Sequence, residues 1–117
     1  MPRKLEIRVG AAADALDRFE AAWNRVLEGR ALRPLEVLSF EDLLLLTKAL
    51  SPARWALLQD LKEKGPCSIY ELAKRLGRDY KNVHTDVTQL AAIGLIERRA
   101  DGLAAVKWDL LRAELKL

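Results

Sequence analysis

The sequence predicts a mainly α-helical fold with a small β-hairpin, and three stretches predict it. Ser68 to Gly77 carries the signals of a helix start and stop, apolar residues recur at three- and four-residue steps from Tyr80, and Asp101-Gly102 separates two strand-like runs. Helix, tight turn, helix and hairpin in that order make a winged helix-turn-helix. On this reading residues 51–117 are the winged unit. Residues 1–50 are a strand and helix extension that holds a dimer or partner.

The elements follow from local chemistry. Leu5, Ile7 and Val9 alternate with Lys4, Glu6 and Arg8, which predicts a short strand that Gly10 stops. A helix is expected from about Ala12 to Leu27, with Leu16, Phe19, Trp23 and Leu27 on one side and Gly29 beyond its end. Leu32 to Leu38 should be extended around Pro34, and Ser39 should cap a helix from Phe40 to Leu50. Four consecutive leucines, Leu43 to Leu46, span more than one helical turn, so they cannot all face one core. Either the N-terminal helix of the same chain or a twofold partner must cover the second side.

Ser51-Pro52 opens the next helix, with proline in the first turn where its missing N–H costs nothing, and Gly65-Pro66 ends it. It should bury Trp55, Leu58 and Leu61. Ser68-Ile69-Tyr70-Glu71 is a capping box, Leu72, Ala73 and Leu76 form a buried stripe, and Gly77 can take the left-handed conformation that closes a helix. Asp79 is a second candidate cap. After it Tyr80, Val83, Val87, Leu90 and Ala91 fall on one face. Leu95 to Ala100 and Leu103 to Trp108 flank Asp101-Gly102, a pair suited to a two-residue hairpin turn. The tail from Leu110 to Leu117 alternates loosely; helix or strand would fit, and a strand could pair with Leu5 to Val9 within the chain or across a dimer.

The polar side of helix 80–93 is the candidate site. Turned at about 100° per residue, Lys81, Asn82, Thr85, Thr88 and Gln89 lie opposite the apolar stripe, with His84 and Asp86 on the flanks. Amides, hydroxyls and a lysine can donate to and accept from base edges and phosphates in a major groove. A solvated helix face is the plainer alternative. On the hairpin Arg98 and Arg99 should point to opposite faces, so one of them, Arg99 as the nearer to the tip, is the better phosphate contact. Solubility and edge protection would explain the same pair.

Composition narrows the class. The 117 residues carry a net charge of +3, and all of the excess lies in 52–117, where twelve basic side chains face nine acidic ones against eight and eight in 1–51. An excess of this sign draws in polyanions. Cys67 is the single cysteine, so an intrachain disulfide is excluded and a cytoplasmic setting is expected. Its better reading is a small buried residue rather than a redox sensor. Charges at Arg3, Lys4, Glu6 and Arg8 interrupt any signal peptide, and Leu43 to Leu46 is far shorter than the ~20 residues a membrane span needs. His84 is the only histidine and no glycine-rich phosphate loop occurs, so no catalytic constellation can be assembled. Neither a cofactor nor a metal is implied. His84 is expected to hydrogen-bond a phosphate or a neighbouring side chain, or to pack at the helix flank.

From Leu76-Gly77-Arg78-Asp79-Tyr80-Lys81-Asn82-Val83-His84, followed by Gly94-Leu95-Ile96-Glu97, the chain resembles a family of small MarR-like winged-helix transcriptional regulators. The likeness extends through Leu5 to Gly10, Ser39-Phe40-Glu41 and the tail; Phe40 to Trp55 departs from it in its aromatic and leucine content. The resemblance implies a DNA-binding regulator that is dimeric, with antitoxin-like relatives beside toxin-like proteins. Its signature positions are Arg78, Tyr80, Lys81, Asn82 and His84. Of these the helical face selects Lys81 and Asn82 as outward and makes Tyr80 mostly core. The expected function is sequence-specific binding of double-stranded DNA by a homodimer, with Arg78, Lys81, Asn82, His84, Thr85, Thr88, Gln89, Arg98 and Arg99 as contacts. The alternative is a protein-interaction module or antitoxin whose main ligand is a toxin-like protein.

Overall fold

The computed structural model describes residues 2–10, Trp23 and 36–115. The expected helix from Ala12 to Leu27 lies outside the described residues except for Trp23, which is helical and exposed. The elements are β1 (Lys4–Val9), β2 (Val37–Phe40), α1 (Leu43–Ala49), α2 (Pro52–Lys64), α3 (Ile69–Leu76), α4 (Tyr80–Ala92), β3 (Glu97–Arg98), β4 (Ala104–Ala105) and β5 (Leu110–Leu115). The molecule is therefore mixed α/β, which corrects the mainly α class expected from the sequence. Among the described residues a three-stranded, all-parallel sheet in the order β2-β1-β5 accompanies the helices α1 to α4 and the small antiparallel pair β3-β4.

The sheet brings together strands that are remote in the chain. Parallel neighbours need a crossover of a dozen or more residues. The stretch between β1 and β2, and the whole helical region before β5, are long enough to provide one. Leu5 and Ile7 are buried, as their alternation requires, while Glu6 and Arg8 on the opposite face form an ion pair at 3.4 Å. Arg8 also bonds Glu114 of β5. The tail is thus a strand paired with β1 inside the chain, Leu5 against Leu111 and Ile7 against Ala113.

Ser39 does not cap a helix but lies in β2; Asp42 caps α1, its carboxylate accepting from the Leu45 N–H at 2.9 Å. Asp42 binds the third amide onward as Ser39 was expected to. Because β2 holds Phe40 in its pairing with Val9, the helix begins at Leu43. Of the four leucines only Leu46 is buried; Leu43, Leu44 and Leu45 are exposed.

One core joins the two ends of the chain. Leu57, Leu58 and Leu61 of α2, Leu72 and Ala73 of α3, and Val83, Val87 and Leu90 of α4 pack with Leu95, Ile96, Trp108 and Leu5. Cys67 is buried among them, and its backbone exchanges hydrogen bonds with Ala104 at 3.2 and 2.8 Å, which adds a third segment beside β4. The Trp108 indole donates to the Gly94 carbonyl at 2.9 Å, and Arg3 and Lys107 both place their charged groups over its ring. Trp55, expected in the core, is 44% exposed. It stands at the mouth of a cavity of about 390 Å³ between α2, Val106, Trp108 and the start of β5, so the helix buries Leu57 in its place.

Candidate nucleic-acid interface

α3 and α4 are set by their ends. The Ser68 hydroxyl accepts from the Glu71 N–H at 3.1 Å and starts α3. Gly77 closes it at φ 63°, ψ 31°, with the N–H groups of Gly77 and Arg78 donating to Lys74 and Ala73 carbonyls at 3.2 and 3.0 Å. This left-handed turn is open to glycine at no steric cost. Asp79 takes the N-cap position of α4 without a side-chain cap bond, so only Gly77, Arg78 and Asp79 separate the helices. The turn is short enough to fix their crossing.

Val83, Val87 and Leu90 are completely buried and seat α4 on the core. Lys81, Asn82, His84, Thr85, Thr88 and Gln89 are all exposed on it. The Thr85 hydroxyl donates to the Lys81 carbonyl at 3.0 Å, which leaves its oxygen lone pairs outward. Tyr80 is 50% exposed and not core, because the first helical residue lies past the end of the packed stripe; its ring sits 5.9 Å from that of His84, one turn on. Tyr80 is the signature position that periodicity assigned to the wrong side. The i, i+4 spacing to His84 was the signal that could have placed it.

Asp86, the acidic residue of α4, is neutralised from both sides. One carboxylate oxygen meets Arg54 Nε of α2 at 3.0 Å and the other meets Arg78 Nη2 at 2.8 Å. Arg78 is thereby drawn toward Asp86 and is only partly exposed. Arg54 also donates through Nη2 to the Gln89 Oε1, which occupies the carbonyl end of that amide and leaves its NH₂ group outward. Arg54 was invisible to sequence reasoning, since it lies 32 residues from Asp86 and 35 from Gln89.

The hairpin is shorter than expected, with two-residue strands and a three-residue turn. Arg99 N–H donates to Leu103 O at 2.9 Å and Gly102 N–H to Arg99 O at 3.0 Å. A two-residue turn of the type expected needs positive φ at both central positions, and only Gly102, at φ 85°, has it. Both arginines are exposed, but Arg99 is held by Asp101 at 3.0 Å while Arg98 makes no ion pair among the described residues.

Among the described residues no group of three or more His, Cys, Asp or Glu side chains could hold a metal ion, and no helix is long and apolar enough to cross a membrane. Burial pushes the Cys67 thiol above its ordinary pKa, so it stays protonated near neutral pH.

The family model described as HVO_A0114 matches residues 49–113, more than half of the chain. The match takes in α2, α3, α4, the hairpin and every candidate contact. No curated protein matches the chain.

Proposed function

We propose that this protein, which belongs to the HVO_A0114 family, is a sequence-specific double-stranded DNA-binding transcriptional regulator. It reads the major groove with α4 and touches the backbone with the hairpin as a wing, two copies acting together. One observation carries the reading: α4 is seated by three fully buried residues, and its outward side offers Lys81, Asn82, Thr85, Thr88 and Gln89 with its acidic residue already neutralised. A groove about 12 Å wide admits a helix of about 10–12 Å. The amide of Gln89, tethered at its oxygen, is suited to an acceptor on a base edge, and Lys81 to phosphate.

A second reading has support of its own. Leu43, Leu44 and Leu45 are exposed on α1, which suits an interaction module whose ligand is a protein such as a toxin. Selection of bound duplexes from a random pool, followed by salt titration, separates the two. DNA binding that neutralises about six phosphates should show a log–log salt slope near −5. A pool that yields no enriched sequence would overturn the DNA reading.

A further inference from the structure

β5 ends the three-stranded sheet, and its outer edge has no partner among the described residues. An unpaired edge six residues long is a template for another strand. We propose that the partner is β5 of a second copy, joined antiparallel about a twofold axis through Ala113. Two such copies form a continuous six-stranded sheet.

Geometry selects the register. A twofold perpendicular to the sheet keeps every side chain on its own face, so a residue can only oppose one an even number of positions away. With the axis at Ala113, Arg112 opposes Glu114 of the second copy and Leu111 opposes its Leu115. Moving the axis by one residue puts Arg112 against Arg112, or Glu114 against Glu114, and like charges directly opposed are unfavourable. Among the centres that set described residues against one another, Ala113 is the one complementary on both faces.

Backbone directions agree. The Leu110 N–H donates inward to the Arg3 carbonyl at 3.3 Å. Alternation along the strand then turns Leu111, Ala113 and Leu115 outward, where their N–H and C=O groups can bond the same groups of the copy. Arg112 and Glu114 fall at the closer, non-hydrogen-bonded positions, where side chains approach best.

The pairing also completes a charge ladder. Inside the chain Glu6 lies beside Arg112 and Arg8 beside Glu114. Across the axis the row becomes Glu6, Arg112, then Glu114 and Arg8 of the second copy, alternating in sign throughout. Arg112 makes no ion pair among the described residues, and Glu114, 73% exposed at its side chain, bonds Arg8 alone. Each lacks the neighbour that the copy supplies. The opposite edge, β2, has four residues, Val37–Phe40, and no charged pair to specify a register.

Charge exchange tests this without DNA, so its failure is distinct from failure of the regulatory reading. In sedimentation the full-length wild-type chain should be a dimer. Arg112→Glu and Glu114→Arg each create two like-charged oppositions, and each should raise the dimer dissociation constant on the order of tenfold. An equimolar mixture of the two variants restores both opposite pairs and should dimerise as the wild type does. A monomeric wild type at about 100 µM, variants that dimerise unchanged, or a mixture no tighter than its components would overturn the proposal. Should either charge variant fail to fold, Ala113→Cys decides the matter. Its paired Cα atoms would be about 5.5 Å apart, inside the disulfide range. Mild oxidation should link it rapidly, with no linking of the wild type or of Leu44→Cys. Linking through Leu44→Cys in preference to Ala113→Cys would place the interface on α1 and refute it.

Discussion

Asp86 on α4 would repel a phosphate backbone if its charge stood alone, and the two arginines that hold it remove that obstacle. Arg54 has the further effect of fixing Gln89. Arg54→Ala should therefore relax base preference at the same position as Gln89→Ala, although Arg54 itself need not touch DNA. Lys81→Ala should weaken binding to all sequences alike and reduce the salt slope by about 1. Binding profiles over randomised sites check both, and an Arg54→Ala profile identical to wild type would remove the positioning role. Asp60 makes a separate prediction about acid. Burial tends to raise its pKa, but hydrogen bonds from Lys64 and Arg75 outweigh that and hold the carboxyl below its ordinary value. A depressed carboxylate stabilises the fold fully above the unfolded-state value of about 3.9, and the contribution is lost as pH falls through the folded value. Melting temperature should drop below about pH 4, and Asp60→Asn should be less stable near neutrality with a shallower acid limb. The outward residues Lys81, Asn82, Thr85, Thr88 and Gln89 were legible in the sequence because a 100° step sorts them. Tyr80 was not, because periodicity ignores where the packed neighbour ends.

Helix termini set the angle at which that face is presented. Gly77 has a left-handed backbone, and a Cβ added there would meet nothing within 4 Å. Gly77→Ala thus isolates the conformational cost, about 1–2 kcal/mol, while Ser68→Ala should cost about 1 kcal/mol through the lost cap. Leu90→Ala should cost about 2–5 kcal/mol, since Leu90 is wholly buried. Urea unfolding orders the three, and a Leu90→Ala as mild as Ser68→Ala would contradict the packing described. α2, α3 and α4 were legible because caps, proline at the first turn and glycine stops are local signals. α1 was misplaced by three residues because Ser39 and Asp42 are both good caps, and only the pairing of β2 with β1 decides between them. The hairpin turn misled for a similar reason: Asp101-Gly102 suits a two-residue turn, but the ladder registers Arg98 on Ala104 and so sets Arg99 against Leu103, which leaves three residues, 100–102, to connect.

At the scale of the molecule the parallel sheet was the least legible feature. β1, β2 and β5 are four to six residues each, separated by long stretches; the tail's pairing with β1 was one of several alternatives its loose alternation left open, and nothing in the short run of β2 states that it lies on the other side. Yet this sheet, with β1 feeding Leu5 into the helical core, fixes how two copies would carry their α4 helices. A dimer joined through β5 is continuous in backbone hydrogen bonds, so the separation and rotation of the two recognition faces are set. The preferred operator should accordingly be a near-palindrome with half-sites about one helical turn apart, or a multiple of it, and with a single spacing. Inserting 5 base pairs between half-sites turns the second one to the far side of the duplex, and affinity should fall to that of one half-site. Inserting 10 restores the face but moves the half-site by about 34 Å, and a rigid sheet should not recover the loss, whereas a flexible link would. The Ala113→Cys dimer, oxidised, should keep the same preferred spacing and lose the dependence of affinity on dimerisation at low protein concentration. Equal binding at every spacing would separate the two halves of the account, leaving base reading by α4 intact and the rigid β5 junction refuted.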